Sequence, residues 1–144
     1  MKRIFFILIC AVLVAGCDKY LSPADIHFLV QNSMNCEKSI SYIFEGEYVS
    51  RNDDAEDLHT ESISINSSTT IDANASSELL VLTNPKFYLG GDYKTDFFIF
   101  LSKATISIHD SEISYDLQQI KDASKCIVSE PINGKKRVDI IFIL

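Results

Sequence analysis

Basic residues are scarce in this chain: 13 Lys and Arg stand against 20 Asp and Glu, a formal charge of −7 over 144 residues. A surface of that sign repels phosphate backbones and anionic headgroups, which argues against nucleic acid as a partner and against electrostatic adsorption to a membrane. A membrane-spanning run is also missing. The longest apolar stretch, Ile4 to Val14, reaches only about 17 Å as a helix, whereas crossing the hydrocarbon core takes about 20 residues. Catalytic fingerprints are missing too: there is no GxSxG elbow, HExxH helix, P-loop, dinucleotide-binding glycine pattern or CxxC pair. No segment repeats at the periods of solenoids or propellers. No boundary divides the chain, and its length is that of one domain with a sizeable core.

What is present is most specific at the start. Residues 1–17 read MKRIFFILICAVLVAGC, with Lys2 and Arg3 before the apolar run and Val14-Ala15-Gly16 leading into Cys17. This is the layout of an export signal, and small residues directly before a cysteine resemble the lipobox of bacterial lipoproteins. The resemblance covers the leader alone. It implies that residues 1–16 are a cleaved signal peptide, that Cys17 carries the lipid, and that residues 17–21 tether a periplasmic domain of residues 22–144. Losing Lys2 and Arg3 with the leader takes the formal charge from −7 to −9, so the lipid at Cys17 is the membrane contact. Several acyl chains make such an anchor durable. Asp18 directly follows Cys17, and in enteric lipoproteins an aspartate there resembles the signal for inner-membrane retention; the outer membrane is the other destination. With Cys10 discarded and Cys17 acylated, Cys36 and Cys126 remain. In an oxidising compartment they are expected to form one disulfide, the alternative being two buried free thiols.

Along the chain, Ser22-Pro23-Ala24-Asp25 has the form of a helix start, and Ile26, Leu29, Val30 and Met34 follow at helical spacing. The spacing predicts a short amphipathic helix to about Asn35. From Cys36 the period is two, with Ile40, Tyr42, Phe44 and Tyr48 on one face, a half-buried strand. The acidic segment Arg51 to Asp57 turns the chain into a second strand, Leu58 to Asn66. Ser67 to Ser77 is an exposed loop or a weak edge strand. Leu79 to Thr83 is a short apolar run stopped at Asn84-Pro85. Gly90-Gly91-Asp92 between Leu89 and Tyr93 signals a hairpin, and Phe97 to Leu101, without a polar break, reads as a central strand. Thr105 to His109 and Ile113 with Tyr115 alternate again, Leu117 to Ala123 suggests a helical turn or two, and the chain closes with Cys126 to Val128, a turn at Pro131 to Gly134 and a strand from Val138 to Leu144. The expected fold is α+β and mainly antiparallel β: one small β-rich domain, sandwich or open barrel, with a short N-terminal helix.

Asp57, His59 and Glu61 share a face if extended, a candidate metal set with His109 as a fourth ligand; a solvated strand face accounts for the same residues. Asp53, Asp54, Glu56 and Asp57 lack the glycine and alternating spacing of a calcium loop. Phe87, Tyr88, Tyr93, Phe97, Phe98 and Phe100 either wall an apolar cavity or fill the core. Lys135-Lys136-Arg137, the one basic cluster, is a solvated turn or a contact for headgroups or an acidic partner. His27 sits on the expected first helix as a packed or surface residue. No cofactor is implied.

Three functions compete: a non-enzymatic protein-binding or envelope accessory module of pilot, inhibitor or immunity type; a carrier of an apolar ligand; and a small hydrolase or metalloenzyme using Asp57, His59 and Glu61. The first is preferred, with an envelope protein or toxin as partner. The leader yields a direct test: a fatty-acid analogue fed to cells labels the native protein, and Cys17→Ala abolishes the label.

Overall fold

Alternation of buried and exposed residues organises most of residues 23–51 and 58–144, which the structure, a computed structural model, describes. The leader, Cys17, Asp18, the tether, the Ser22 cap and the acidic residues from Asp53 to Asp57 lie outside the described residues. Ala24–Gln31 forms β1, Lys38–Arg51 β2, Leu58–Ile71 β3 and Ser76–Leu82 β4; Tyr93–Phe100 is α1, Leu101–Ile108 β5, Ser114–Asp116 β6, Leu117–Ala123 α2, Lys125–Ile132 β7 and Lys135–Ile143 β8. Two four-stranded sheets result, ordered β4-β1-β8-β7 and β3-β2-β5-β6. All pairings among them are antiparallel except β1 with β8. The domain is thus single and β-rich, with two short helices and sheets not closed into a barrel.

The sheets meet through rings. Phe28 of β1 stands edge-on to Phe44 of β2 at 5.2 Å, and Tyr115 of β6 to Phe142 of β8 at 5.0 Å. Phe97 of α1 stacks on Phe28 at 5.5 Å. Ala24, Ile26, Phe28, Val30, Ile40, Phe44, Val138 and Ile140 are fully buried, the two inner faces closing on one core.

Two expectations are overturned. The N-terminal helix is strand β1: Ala24, Ile26, Phe28 and Val30 are buried while Asp25, His27, Leu29 and Gln31 are half-buried, a period of two that the helical reading passed over. Asp25 does not close a capping box. Its Oδ1 accepts from the Asn84 amide at 2.8 Å and pairs with Lys135 Nζ at 2.8 Å. The hairpin at Gly90-Gly91 and the central strand Phe97–Leu101 are, in turn, α1 followed by β5. Asp92 caps that helix by accepting from the Thr95 amide at 3.1 Å, satisfying a donor that the first turn leaves unpaired. The helix buries Phe97, Phe98 and Phe100 and turns Ile99 outward. The strand from Cys36 to Tyr48, the strand from Leu58, the 105–108 strand, the short helix at 117–123 and the closing strands all form, and the apolar run from Leu79 lies in β4. Residues 67–71 extend β3 as an edge strand, the second of the two readings offered for them.

Irregular backbone is held by buried polar groups. Asn32 is fully buried; its Nδ2 donates to the carbonyls of Cys36 (2.8 Å), Ile71 (3.1 Å) and Asp72 (3.1 Å), and its Oδ1 accepts from the Met34 amide at 3.0 Å. Its own amide donates to Ala75 O at 2.9 Å. The C-terminus is tied in alongside: the Leu144 amide donates to Gln31 O, and Leu144 O accepts from Ser33 Oγ at 2.7 Å. Within β2, a Cβ on Gly46 would clash with the carbonyl oxygen of Phe100, where the β2–β5 register shifts at Glu45/Gly46. Only glycine admits that approach.

Asn32→Ala strands buried carbonyls and is expected to cost about 2–4 kcal/mol in urea denaturation. Gly46→Ala forces a backbone shift and costs about 1–3 kcal/mol by the same measurement.

Candidate functional site

The α1–β5 junction opens a groove of about 560 Å³, lined among others by Glu47, Tyr48, Tyr88, Ile99, Phe100 and Ser102. Phe100 is its buried floor, with the ring centres of Tyr48 and Tyr88 6.1 and 6.3 Å away. Tyr88 is 55% and Ile99 58% exposed, and the neighbouring Leu89 is exposed as well, an apolar grouping that a folded domain ordinarily covers. Lys86 Nζ stands 5.8 Å from the centre of the Tyr88 ring.

These side chains are positioned by a buried carboxylate. Asp96 on α1 is fully buried and accepts from the Tyr88 amide at 3.2 Å and the Leu89 amide at 3.1 Å. The loop carrying Tyr88 and Leu89 is thereby fixed to the helix that carries Ile99. Tyr48 is held from the other side, its hydroxyl accepting from the Thr83 amide at 3.3 Å. Burial pushes the Tyr48 phenol above its ordinary range; the Thr83 bond opposes this, and the carboxylates of Glu61 and Asp25 add to it. Glu47 is exposed at the rim, and its side chain makes no ion pair or hydrogen bond among the described residues. The groove offers ring faces, aliphatic surface and one carboxylate.

The residues singled out by sequence are scattered. Asp57, Cys17 and Asp18 lie outside the described residues. His59 and Glu61 are exposed on β3, opposite Ser50 and Tyr48 of β2. His109, proposed as a fourth ligand, is bonded through its amide to Ser39 O. Ser39 and Ser50 are eleven residues apart on β2, roughly 35 Å at about 3.3 Å per residue, so His109 is not part of that set. Among the described residues no three His, Cys, Asp or Glu side chains are grouped to hold a metal ion.

The Cys36–Cys126 disulfide is not formed: both thiols are free and exposed. Cys126 lies opposite Ile140, which is level with Phe28, whereas Cys36 is bonded to Asn32 beyond the end of β1. That offset of four residues, about 13 Å along the sheet, separates two thiols that must come within about 7 Å between Cα atoms to bond. Although Cys126 is exposed as a residue, partial desolvation at its sulfur pushes the thiol up, with the Asp92 carboxylate adding to the shift, which lowers its thiolate fraction and its reactivity at neutral pH.

Two residues of the basic cluster, Lys135 and Arg137, are ion-paired. Lys135 pairs with Asp25 at 2.8 Å, and Arg137 with Asp139 at 2.8 Å and Glu78 at 3.5 Å. His27 joins them through Nδ1 to Glu78 Oε2 at 2.7 Å. Of the six clustered aromatics, Phe87, Tyr93, Phe97, Phe98 and Phe100 are buried core and Tyr88 alone is exposed. Of the segments expected as loop or turn, Ser67 to Ile71 lies in β3, and Pro131 and Ile132 lie in β7. Glu47, Ile99 and Asp96 escaped the sequence reading; the available signal was Asp92, an N-cap residue opening a helix at Tyr93.

No protein-family model, curated protein or solved structure matches this chain.

Asp96→Ala leaves two amides without their charged acceptor and is expected to cost about 1–3 kcal/mol. Hydrogen exchange at Tyr88 and Leu89 should rise first, ahead of the β1 and β8 amides.

Proposed function

We propose that this chain is a lipid-anchored bacterial lipoprotein whose periplasmic domain binds another envelope protein, or an imported toxin, without catalysis. One observation carries the binding half: Tyr88, Leu89 and Ile99 are exposed together beside an open groove, and Asp96, on the helix that carries Ile99, holds the Tyr88 and Leu89 backbone there. A folded domain that fixes apolar side chains outward, at the cost of a buried carboxylate, has organised a contact surface. The leader supports the anchoring half. A lipid at Cys17 with a five-residue tether keeps the groove near the bilayer, where confinement raises the encounter rate with membrane-associated partners. Asp18 favours retention in the inner membrane.

A photo-crosslinking side chain at Tyr88 or Ile99 in living cells should yield the same protein adduct from both positions and none from His109. A retained apolar ligand in the mass spectrum of the purified protein would favour a carrier instead. Loss of a measured turnover on alanine substitution at His59 or Glu61, with the fold intact, would replace the binding reading with an enzyme.

A further inference from the structure

The edges of the two sheets are not protected equally. β6 is three residues long. The β4 pairing with β1 is broken by a register shift at Phe28/Leu29. β7 carries Lys125 and Pro131 and shifts register between Ser129 and Ile132. Short length, bulges, lysine and proline are the usual means of blocking strand addition. β3 has none of them. It is 14 residues long, contains no Lys, Arg, Pro or Gly, and pairs with β2 in unbroken register from Leu58 to Ile71. Since β2 is its one neighbour in the sheet among the described residues, the other side of Ser62 to Ile71 presents a row of backbone donors and acceptors about 33 Å long.

Charge selects the occupant. The chain carries −7, which opposes contact between copies over most of its surface. From Ser62 to Ile71, however, β3 holds no ionisable side chain. We infer that β3 pairs antiparallel with β3 of a second copy about a two-fold axis, joining the two β3-β2-β5-β6 sheets into one. With the axis at Ser64, residues of like parity meet, so inner faces continue into inner faces. Ser64 opposes Ser64 of the second copy, Ser62 opposes Asn66, Thr60 opposes Ser68, and Glu61 opposes Ser67, with no like charges facing. On the inner face Ile63 opposes Ile65, covering a side chain that is half-buried in the monomer. Cross-strand hydroxyl and β-branched pairs of this kind are favourable.

The test uses the full chain in detergent with Cys36 and Cys126 replaced by serine. Ser64→Cys should form a disulfide-linked dimer under mild oxidation, because residues facing each other across an antiparallel pair lie within bonding range. Thr105→Cys, on β5 of the same sheet, should not. The parent protein should sediment as a dimer at micromolar concentration. A monomer at that concentration, equal crosslinking of the two variants, or a Ser64→Cys adduct formed in the cell envelope with a different protein would each overturn the proposal.

Discussion

The facing of the two sheets depends on one buried amide. β1 passes its buried parity from Ala24 through Ile26, Phe28 and Val30 to Asn32, all fully buried. At the fifth position the side chain is polar, because there the chain leaves one sheet for the other. The carbonyls of Cys36, Ile71 and Asp72 turn inward where neither sheet can supply donors, and Asn32 Nδ2 meets them. A buried amide is costly unless it is bonded, and this one is bonded on both its nitrogen and its oxygen. The β1–β2 and β3–β4 connections therefore have one arrangement that satisfies them together, and the stacking of Phe28 against Phe44 follows from it. The C-terminal residue closes against the same end of β1, with Leu144 bonded to Gln31 and Ser33.

Asp96 does the corresponding job at the α1–β5 junction. The segment from Phe87 to Asp92 belongs to neither sheet, and its Tyr88 and Leu89 amides are taken by a carboxylate that is itself buried. Both pins sit where backbone is irregular, as expected when every buried donor and acceptor must be paired. The difference lies in what each supports: Asn32 organises the core, and Asp96 organises exposed residues. That contrast leaves the groove, rather than the Asn32 end, with apolar side chains held at the surface.

Strand content was legible in the sequence wherever one face was apolar and the other polar. β2, β5 and β8 alternate, and the Asn133-Gly134 turn between β7 and β8, with φ of 55° and 79°, is a hairpin signal of the expected kind. The failures have one origin, a local signal that tertiary packing outvotes. Ser22-Pro23-Ala24-Asp25 has capping chemistry, but Ala24, Ile26, Phe28 and Val30 fit a slot between β4 and β8 that a helix cannot occupy. Phe97 to Leu101 is apolar throughout, so no period could be read from it; its helical state is set by Asp92 before it and by the room that Gly46 leaves beside Phe100. The groove was illegible for the same reason: Tyr48, Tyr88 and Ile99 are brought together only once that run is a helix. The scattering of His59 and His109 followed from the length of β2, which no local pattern encodes.

Charge then distinguishes the two outer faces. On the sheet containing β1, opposite signs neutralise each other: His27, Glu78, Arg137 and Asp139 form one connected set, and Asp25 with Lys135 another. On the sheet containing β3, hydroxyls answer hydroxyls, as in Ser39 with Thr70 and Ser107 with Ser114, each at 2.9 Å. Exposed ion pairs contribute little stability, about 0–1 kcal/mol, so the first arrangement is better understood as removing free charge from a face than as strengthening it. That second face is not free of charge, since Glu45 pairs with Lys103 at 3.3 Å and exposed Glu47 follows two residues on along β2, but β3 from Ser62 to Ile71 carries no ionisable side chain. The free carboxylate of Glu47 is then a local feature of the groove, and the uncharged length of β3 is the place where two acidic molecules meet at least electrostatic cost.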